Sequence, residues 1–418
     1  MPLRLITRFG HPTFVDLPWE VPLIEWDDQR IVKPVEGLHR HVVRFIAYGG
    51  ALYAIKELHE ATAMKEYHLL RELDDRSVPV VEAVGTVTGR VAADGEPLDA
   101  ALITRHLDYS LPYRALFQNG SRQELWPPLL DSLALLLVRI HLAGFFWGDC
   151  SLSNALFRRD AGALSATLVD AETGELHRTL SAGQRAHDLM LAETNVGGEL
   201  LDIAAAGGWS DDVDASSIGR DLVRRYEGLW TALTDSELVA ADDTHAIEKR
   251  VRRLNDLGFD VSEILLEGVG DQMTLKLRPV VFESGHHQRE LLTLTGIDAH
   301  ENQARRLLND IRSFRAWLER THSSERVAIT DHLAAMRWMA EVFTPAIEGI
   351  PAEARRKLEP AEHFHRILEH RWLMSERAGR EIDTSVARDD YVLHALAHLP
   401  DEKEVLVTGI GTAADATT

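Results

Sequence analysis

FFWGDCSLSNALFRRDAGALSATLVDAETGE, residues 145–175, is the stretch from which the rest of the chain can be read. It places Asp149 five positions before Asn154. It then runs through a hairpin-like pattern and reaches Asp170 at the end of the apolar run Ala166-Thr167-Leu168-Val169. Metal-assisted phosphoryl transfer asks for a carboxylate oxygen beside the attacking hydroxyl and for further oxygen ligands on Mg2+. All must sit on rigid elements, because catalysis there is mostly positioning and charge neutralisation. Mg2+ takes one or two carboxylates together with the nucleotide phosphates. A loop Asp, a loop Asn and a strand-end Asp joined by a hairpin meet that requirement. Taken alone, D-x-x-x-x-N is common, and a solvated loop with three polar residues reads the same way.

The chain upstream adds to the pattern. Gly49-Gly50 separates two strand-like runs, residues 42–48 and 52–58. The second, LYAIKEL, alternates Lys56 against Tyr53 and Ile55. A helical pattern follows, EATAMKEYHLLREL, carrying Glu60, Glu66 and Glu72. A strand lysine and a glutamate on the next helix can form the ion pair that holds nucleotide phosphates. Glu66, one turn before Leu69 and Leu70 on a helix that must face the sheet, is the expected partner. Residues 78–81 start another strand, and ALITRHLDYSL reads as a strand running into a hinge. An amphipathic helix over residues 125–143 precedes the loop and is apolar almost all round, as a buried central helix should be.

The order Lys56, Glu66, hinge, helix, Asp149, Asn154, hairpin, Asp170 resembles the protein-kinase-like superfamily over roughly residues 30–205. More narrowly it resembles lipopolysaccharide-kinase-like proteins, especially an actinobacterial group that joins such a domain to a C-terminal domain of unknown function. The resemblance implies an α+β chain: a two-lobed kinase-like fold followed by a mainly helical C-terminal domain with a small strand element. It implies ATP and Mg2+ as cofactors. Asp149 would meet the acceptor hydroxyl, Asn154 and Asp170 would hold Mg2+, and Lys56, held by Glu66, would contact the phosphates. The backbone of Arg105, His106 and Leu107 would meet the adenine. The turn at Gly37 would cover the phosphates; it offers one glycine where the family has several, with His39, Arg40 and His41 beside it. A plain hairpin turn fits that segment equally.

The loop departs from the family pattern at Trp147, where kinases carry His, and at Gly148, which stands in the Arg position. Ala171-Glu172 replaces Phe-Gly after Asp170, and only a short segment precedes Ala186-His187-Asp188-Leu189. By resemblance Asp188 braces the loop. A long peptide-docking segment has no counterpart, which favours a small hydroxylated acceptor, such as a sugar or a glycan or lipid precursor, over a protein. Two alternatives stay open: a pseudokinase that senses nucleotide or binds a partner, and a kinase-like fold that transfers the nucleotidyl group.

The 418 residues form an N-terminal extension (1–29), an N-lobe (30–107), a C-lobe core (108–207), a mainly helical domain (208–400) and a disordered tail (401–418). Helices are expected at 211–241, 245–257, 301–320, 329–342 and 361–375, and strands at 261–266 and 272–281. The composition, 45% hydrophobic and 27% charged, is that of a soluble protein. The formal net charge of −21 disfavours nucleic acid and anionic membranes as partners. No apolar run is long enough to span a bilayer, and the first residues lack the apolar core of a signal peptide. The single cysteine, Cys150, excludes an intramolecular disulfide and fits a reducing cytoplasm; a small buried loop residue is its expected role. Glu283, His286, His287 and Glu290, with His363 and His365, have spacing that a metal site can use, yet 20 histidines make such clusters frequent. Oligomeric state leaves no mark in the sequence.

Overall fold

The computed structural model describes residues 2–32, 41–113, 126–203, 215–235, 237–240, 260–269, 272–280, 286–321, 329–380 and 382–399. Gly37, His39, Arg40, Glu283, the helix expected at 245–257 and the tail from 401 lie outside these.

The N-terminal lobe is a six-stranded sheet. Its strands are β1 (Arg4–Thr7), β2 (Ile31–Val32), β3 (Val43–Tyr48), β4 (Ala51–Leu58), β5 (Ala83–Thr88) and β6 (Ala100–Arg105), in the order β1-β5-β6-β4-β3-β2. Gly49 and Gly50 join β3 to β4 with φ of 60° and 83°, the pair of left-handed residues that a two-residue hairpin turn demands. Register sets Lys56 opposite Val43 on β3 and Leu102 on β6, in mid-sheet. Helix α1 (Glu60–Asp75) packs on β4, β5 and β6 through Ala63, Tyr67, Leu70 and Leu73, and Glu66 lies on that same buried face. The other face of the sheet is covered by the first residues of the chain, with Phe14, Leu17, Trp19, Leu23 and Trp26 buried against Ile46, Ile55 and Ile103.

Two boundaries in this half differ from the sequence reading. The first 29 residues contribute a strand, because β1 pairs with β5 and closes an open edge. Residues 78–81 do not start a strand: Val80 makes only an isolated bridge to Leu168, and β5 begins at Ala83.

The helical lobe is built on α2 (Trp126–Leu142). It opens on Trp126-Pro127-Pro128, where the first turn tolerates proline because its N–H groups have no intrahelical partner. Leu129, Leu133, Leu136, Leu137 and Ile140 are all buried, each contributing about 1.5–3 kcal/mol. Short strands β7 (Phe145–Phe146) and β10 (Glu175–Leu176) pair around the hairpin of β8 (Ala155–Asp160) and β9 (Ala163–Leu168). Helices α3 (Ala182–Ile203) and α4 (Ala215–Thr234) pack together, and α4 also packs on α2.

Beyond α4 the helix expected to continue to residue 241 gives way to β11 (Glu237–Ala240). It joins β12 (Asp260–Val269) and β13 (Gln272–Val280) in an antiparallel sheet of order β11-β13-β12. A helical bundle follows: α5 (His286–Thr295), α6 (Glu301–Thr321), α7 (Asp331–Trp338), α8 (Thr344–Glu348), α9 (Ala352–Arg355), α10 (Pro360–Ala378) and α11 (Thr384–His394). The helix expected over 329–342 is interrupted by a π segment, Met339–Phe343, which precedes Pro345. Trp338, Phe343 and Phe364 form the aromatic centre of this bundle. Among the described residues no helix is long and apolar enough to cross a membrane.

The bundle grips the tip of the β8–β9 hairpin. Asp160 accepts hydrogen bonds from the backbone N–H groups of Asn302 (3.2 Å) and Gln303 (2.8 Å) at the start of α6, and from the Asn302 side chain at 3.0 Å. A carboxylate at a helix start also satisfies the helix dipole. Glu362 on α10 accepts from the Ala161 N–H at 3.1 Å and from Gln303 at 3.0 Å. Asp160 is 3% exposed, so Asp160→Ala leaves buried donors without acceptors. We expect that change to cost about 1–3 kcal/mol in urea unfolding. An unchanged midpoint would contradict the joint.

Candidate active site

Lys56 is surrounded by three carboxylates. Its Nζ lies 2.7 Å from Asp170 Oδ2, 3.1 Å from Glu66 Oε2 and 3.5 Å from Glu172 Oε2. Of the three glutamates on α1, Glu66 turns to the sheet and is 1% exposed, whereas Glu72 pairs with Arg76. Burial raises the Glu66 carboxyl to about 7, with the Asp170 charge adding to it and Lys56 opposing it. Burial acts to lower the Lys56 ammonium, but the charges of Glu66 and Asp170 outweigh it, and the net shift is upward. Oxygens of Glu66, Asp170 and Glu172 lie within 4.8 Å of one another, close enough to share a cation.

The loop opposite is held in one shape. Asn154 Nδ2 donates to Asp149 O at 2.9 Å and to Asp149 Oδ2 at 3.2 Å. The amide nitrogen is committed to Asp149, so the amide oxygen is the atom left for a cation. The Val169 N–H donates to Asn154 O at 3.0 Å, which ties the loop to the residue before Asp170. Asp170 Oδ1 accepts from the Glu172 N–H at 2.9 Å, which fixes its carboxylate against the turn that follows.

Trp147 is fully buried, and its indole Nε1 donates to Asp170 O at 2.8 Å. It therefore fastens the loop to the strand-end aspartate from inside. Gly148 has φ of 76°, and a Cβ there would sit 3.2 Å from the Phe146 ring. Backbone conformation alone thus accounts for glycine at this position. Asp188, fully buried, accepts from the N–H groups of Trp147 and Gly148, both at 2.8 Å, and from His141 Nε2 at 3.0 Å. His141 Nδ1 in turn meets the Tyr226 hydroxyl at 2.7 Å, so α4 belongs to the support of the loop. Cys150 is buried, and burial raises its thiol well above the ordinary value, the state of an inert cysteine.

Three contributors escaped the sequence reading, and a fourth, His41, read only as a neighbour of the turn at Gly37, meets a carboxylate. His41 Nε2 lies 2.9 Å from Glu172 Oε2, and Lys65 Nζ donates to Glu172 O at 3.0 Å, so Glu172 links the two lobes. Asn195 Nδ2 donates to Asp149 Oδ1 at 3.0 Å, and Glu199 accepts from the Leu152 and Ser153 N–H groups at 2.6 and 3.1 Å. A spacing of seven and then four residues after Asp188 was the available signal for the last two.

One expectation needs correction, and one spacing leads to no site. The N–H groups of Arg105 and His106 already donate to Glu82 O (2.9 Å) and Leu52 O (2.8 Å), because strand pairing extends through β6. Neither is a donor for adenine. Leu107 O accepts from the Ser110 hydroxyl at 2.7 Å. The histidine constellation is not assembled among the described residues. His287 turns to Glu301 (2.6 Å), Glu290 to Arg312 (3.0 Å), His363 to Arg355 O (3.2 Å) and His365 to Arg306 (3.3 Å).

Burial lowers both His106 and His363 to about 4. The folded chain keeps them neutral while the unfolded chain takes protons near 6.5, so their contribution is full above that pH and is lost as pH falls towards 4. The loss is up to about 3 kcal/mol each. The melting temperature of His363→Gln should therefore fall less than that of wild type between pH 7 and pH 4. Parallel declines would contradict this.

Residues 50–195 match the family model of the lipopolysaccharide kinase (Kdo/WaaP) family. Residues 228–396 match that of DUF4032, a domain of unknown function. No curated protein matches the chain. Among solved structures, "WaaP in complex with acyl carrier protein" aligns at 17% identity and a TM-score of 0.35, over 60% of this chain and 97% of that one. The chain thus couples a kinase-like segment of the lipopolysaccharide kinase (Kdo/WaaP) type to a C-terminal domain of the DUF4032 type.

Proposed function

We propose that the protein transfers the γ-phosphoryl group of Mg2+–ATP to a hydroxyl of a small sugar-like acceptor, a free sugar or a glycan or lipid precursor. The observation that carries this reading is the convergence on Lys56: a strand ammonium held by a buried helix glutamate and facing the strand-end Asp170. The family match over residues 50–195 supports a kinase-like phosphotransferase. Lys56 would meet the phosphates. Asp170 and the Asn154 amide oxygen would hold Mg2+, which draws charge from the γ-phosphate. Asp149 would take the acceptor proton as the hydroxyl oxygen bonds to phosphorus and ADP leaves.

Glu172 favours a second reading. A carboxylate 3.5 Å from Lys56 stands where phosphate oxygens would approach, as in a module that binds nucleotide without turnover. The two readings part on one assay. ADP release from Mg2+–ATP is followed across a panel of sugars and glycan precursors. Acceptor-dependent ADP release is expected. Nucleotide binding with no release on any acceptor would replace the kinase with the sensor.

A further inference from the structure

We propose that Asn195 and Glu199 are positioning residues that set the orientation of Asp149 and of the loop behind it for transfer. This inference rests on the phosphotransferase reading above. Asp188, Asn195 and Glu199 follow one another on α3 at spacings of seven and four residues. At about 100° per residue that returns all three to one helix face.

Each rung takes the next portion of the loop. Asp188 holds the N–H groups of Trp147 and Gly148. Asn195 donates to Asp149 Oδ1 at 3.0 Å and to Cys150 O at 3.3 Å. Glu199 holds the N–H groups of Leu152 and Ser153, together with the Ser153 hydroxyl. One rigid helix thereby reads the loop from residue 147 to residue 153.

The residue types fit the task. Asp149 needs a donor that carries no negative charge, and an amide is one; a carboxylate at 195 would repel it. Glu199 meets three donors of the loop and is an acceptor. Asp149 is held from two sides, Oδ1 by Asn195 and Oδ2 by Asn154 at 3.2 Å, so its carboxylate plane is fixed before an acceptor arrives. Losing Asn195 frees one side and lets the plane turn, and a small misplacement of a reacting group costs about 100-fold in rate.

The test uses the full chain with Mg2+–ATP. Steady-state ADP release, with water or a sugar as acceptor, is measured together with hydrogen–deuterium exchange of the loop amides. Asn195→Leu, with Asn195→Ala as the smaller change should the first fail to fold, is expected to lower kcat about 100-fold while KM for Mg2+–ATP stays within about twofold. Glu199→Gln is expected to speed exchange at Leu152 and Ser153 without speeding it in α2. A fall in kcat matched by a fall in nucleotide affinity and melting temperature would mean general damage and overturn the assignment. So would wild-type kcat together with wild-type loop exchange. If the wild type releases no ADP while loop exchange responds as described, the brace stands and the phosphotransferase reading is what fails.

Discussion

Asp149→Asn is expected to bind Mg2+–ATP almost as wild type does and to phosphorylate acceptor about two to four powers of ten more slowly. The amide matches the carboxylate in shape but cannot take the acceptor proton. The carboxylates around Lys56 are Glu66, Asp170 and Glu172, so the phosphate end of the site keeps its charges, and Asn154 keeps its hydrogen bond to the Asp149 carbonyl. The packing around the loop, from buried Trp147 through Asp188 to His141, also remains. Single-turnover transfer and calorimetric nucleotide binding on the same preparation separate the two effects. Equal ATP consumption by wild type and variant would remove Asp149 from the chemistry.

Asp170→Asn should act at the opposite end. Its carboxylate pairs with Lys56 at 2.7 Å and is the strand-end oxygen donor proposed to hold Mg2+. Changes to residues that merely support a metal ligand cost about 10–100-fold in metal affinity, so the loss of the ligand itself should cost at least that. The expected result is Mg2+-dependent ATP affinity reduced about 100-fold or more, with far-UV circular dichroism unchanged. Glu66 and Glu172 remain as oxygens near the same point, which makes the variant a measure of whether they can substitute. Unchanged Mg2+–ATP binding would assign the cation to them instead.

What could be read from the sequence was whatever local periodicity controls. The alternation of LYAIKEL set Lys56 on its strand, and the apolar pattern of the following helix singled out Glu66 from Glu60 and Glu72. The D-x-x-x-x-N spacing and the hairpin carried Asp149, Asn154 and Asp170 to their places. Contacts that cross between elements left no such trace. His41 meets Glu172 across 131 positions and Asn195 meets Asp149 across 46; the helix spacing after Asp188 puts Asn195 on the right face, but no window along the chain pairs either residue with its partner. β1 was missed because four residues at a sheet edge show little periodicity. Hydrogen bonds to both neighbouring strands decided Arg105 and His106: the end of an interior strand still spends its N–H groups on its neighbours.

The C-terminal bundle holds the far tip of the β8–β9 hairpin, whose other end carries Asn154 and Asp170. Six residues of strand separate the two ends, about 20 Å at the usual rise. The bundle is thus a clamp on the element that spaces the two proposed metal ligands.

The most direct measurement follows the label. The protein is incubated with Mg2+ and a cell extract, in parallel with ATP labelled on the α phosphate and on the γ phosphate. Transfer of the γ label to a small acceptor, absent in Asp149→Asn, is the predicted result. Transfer of the α label, or of neither, would contradict a phosphotransferase.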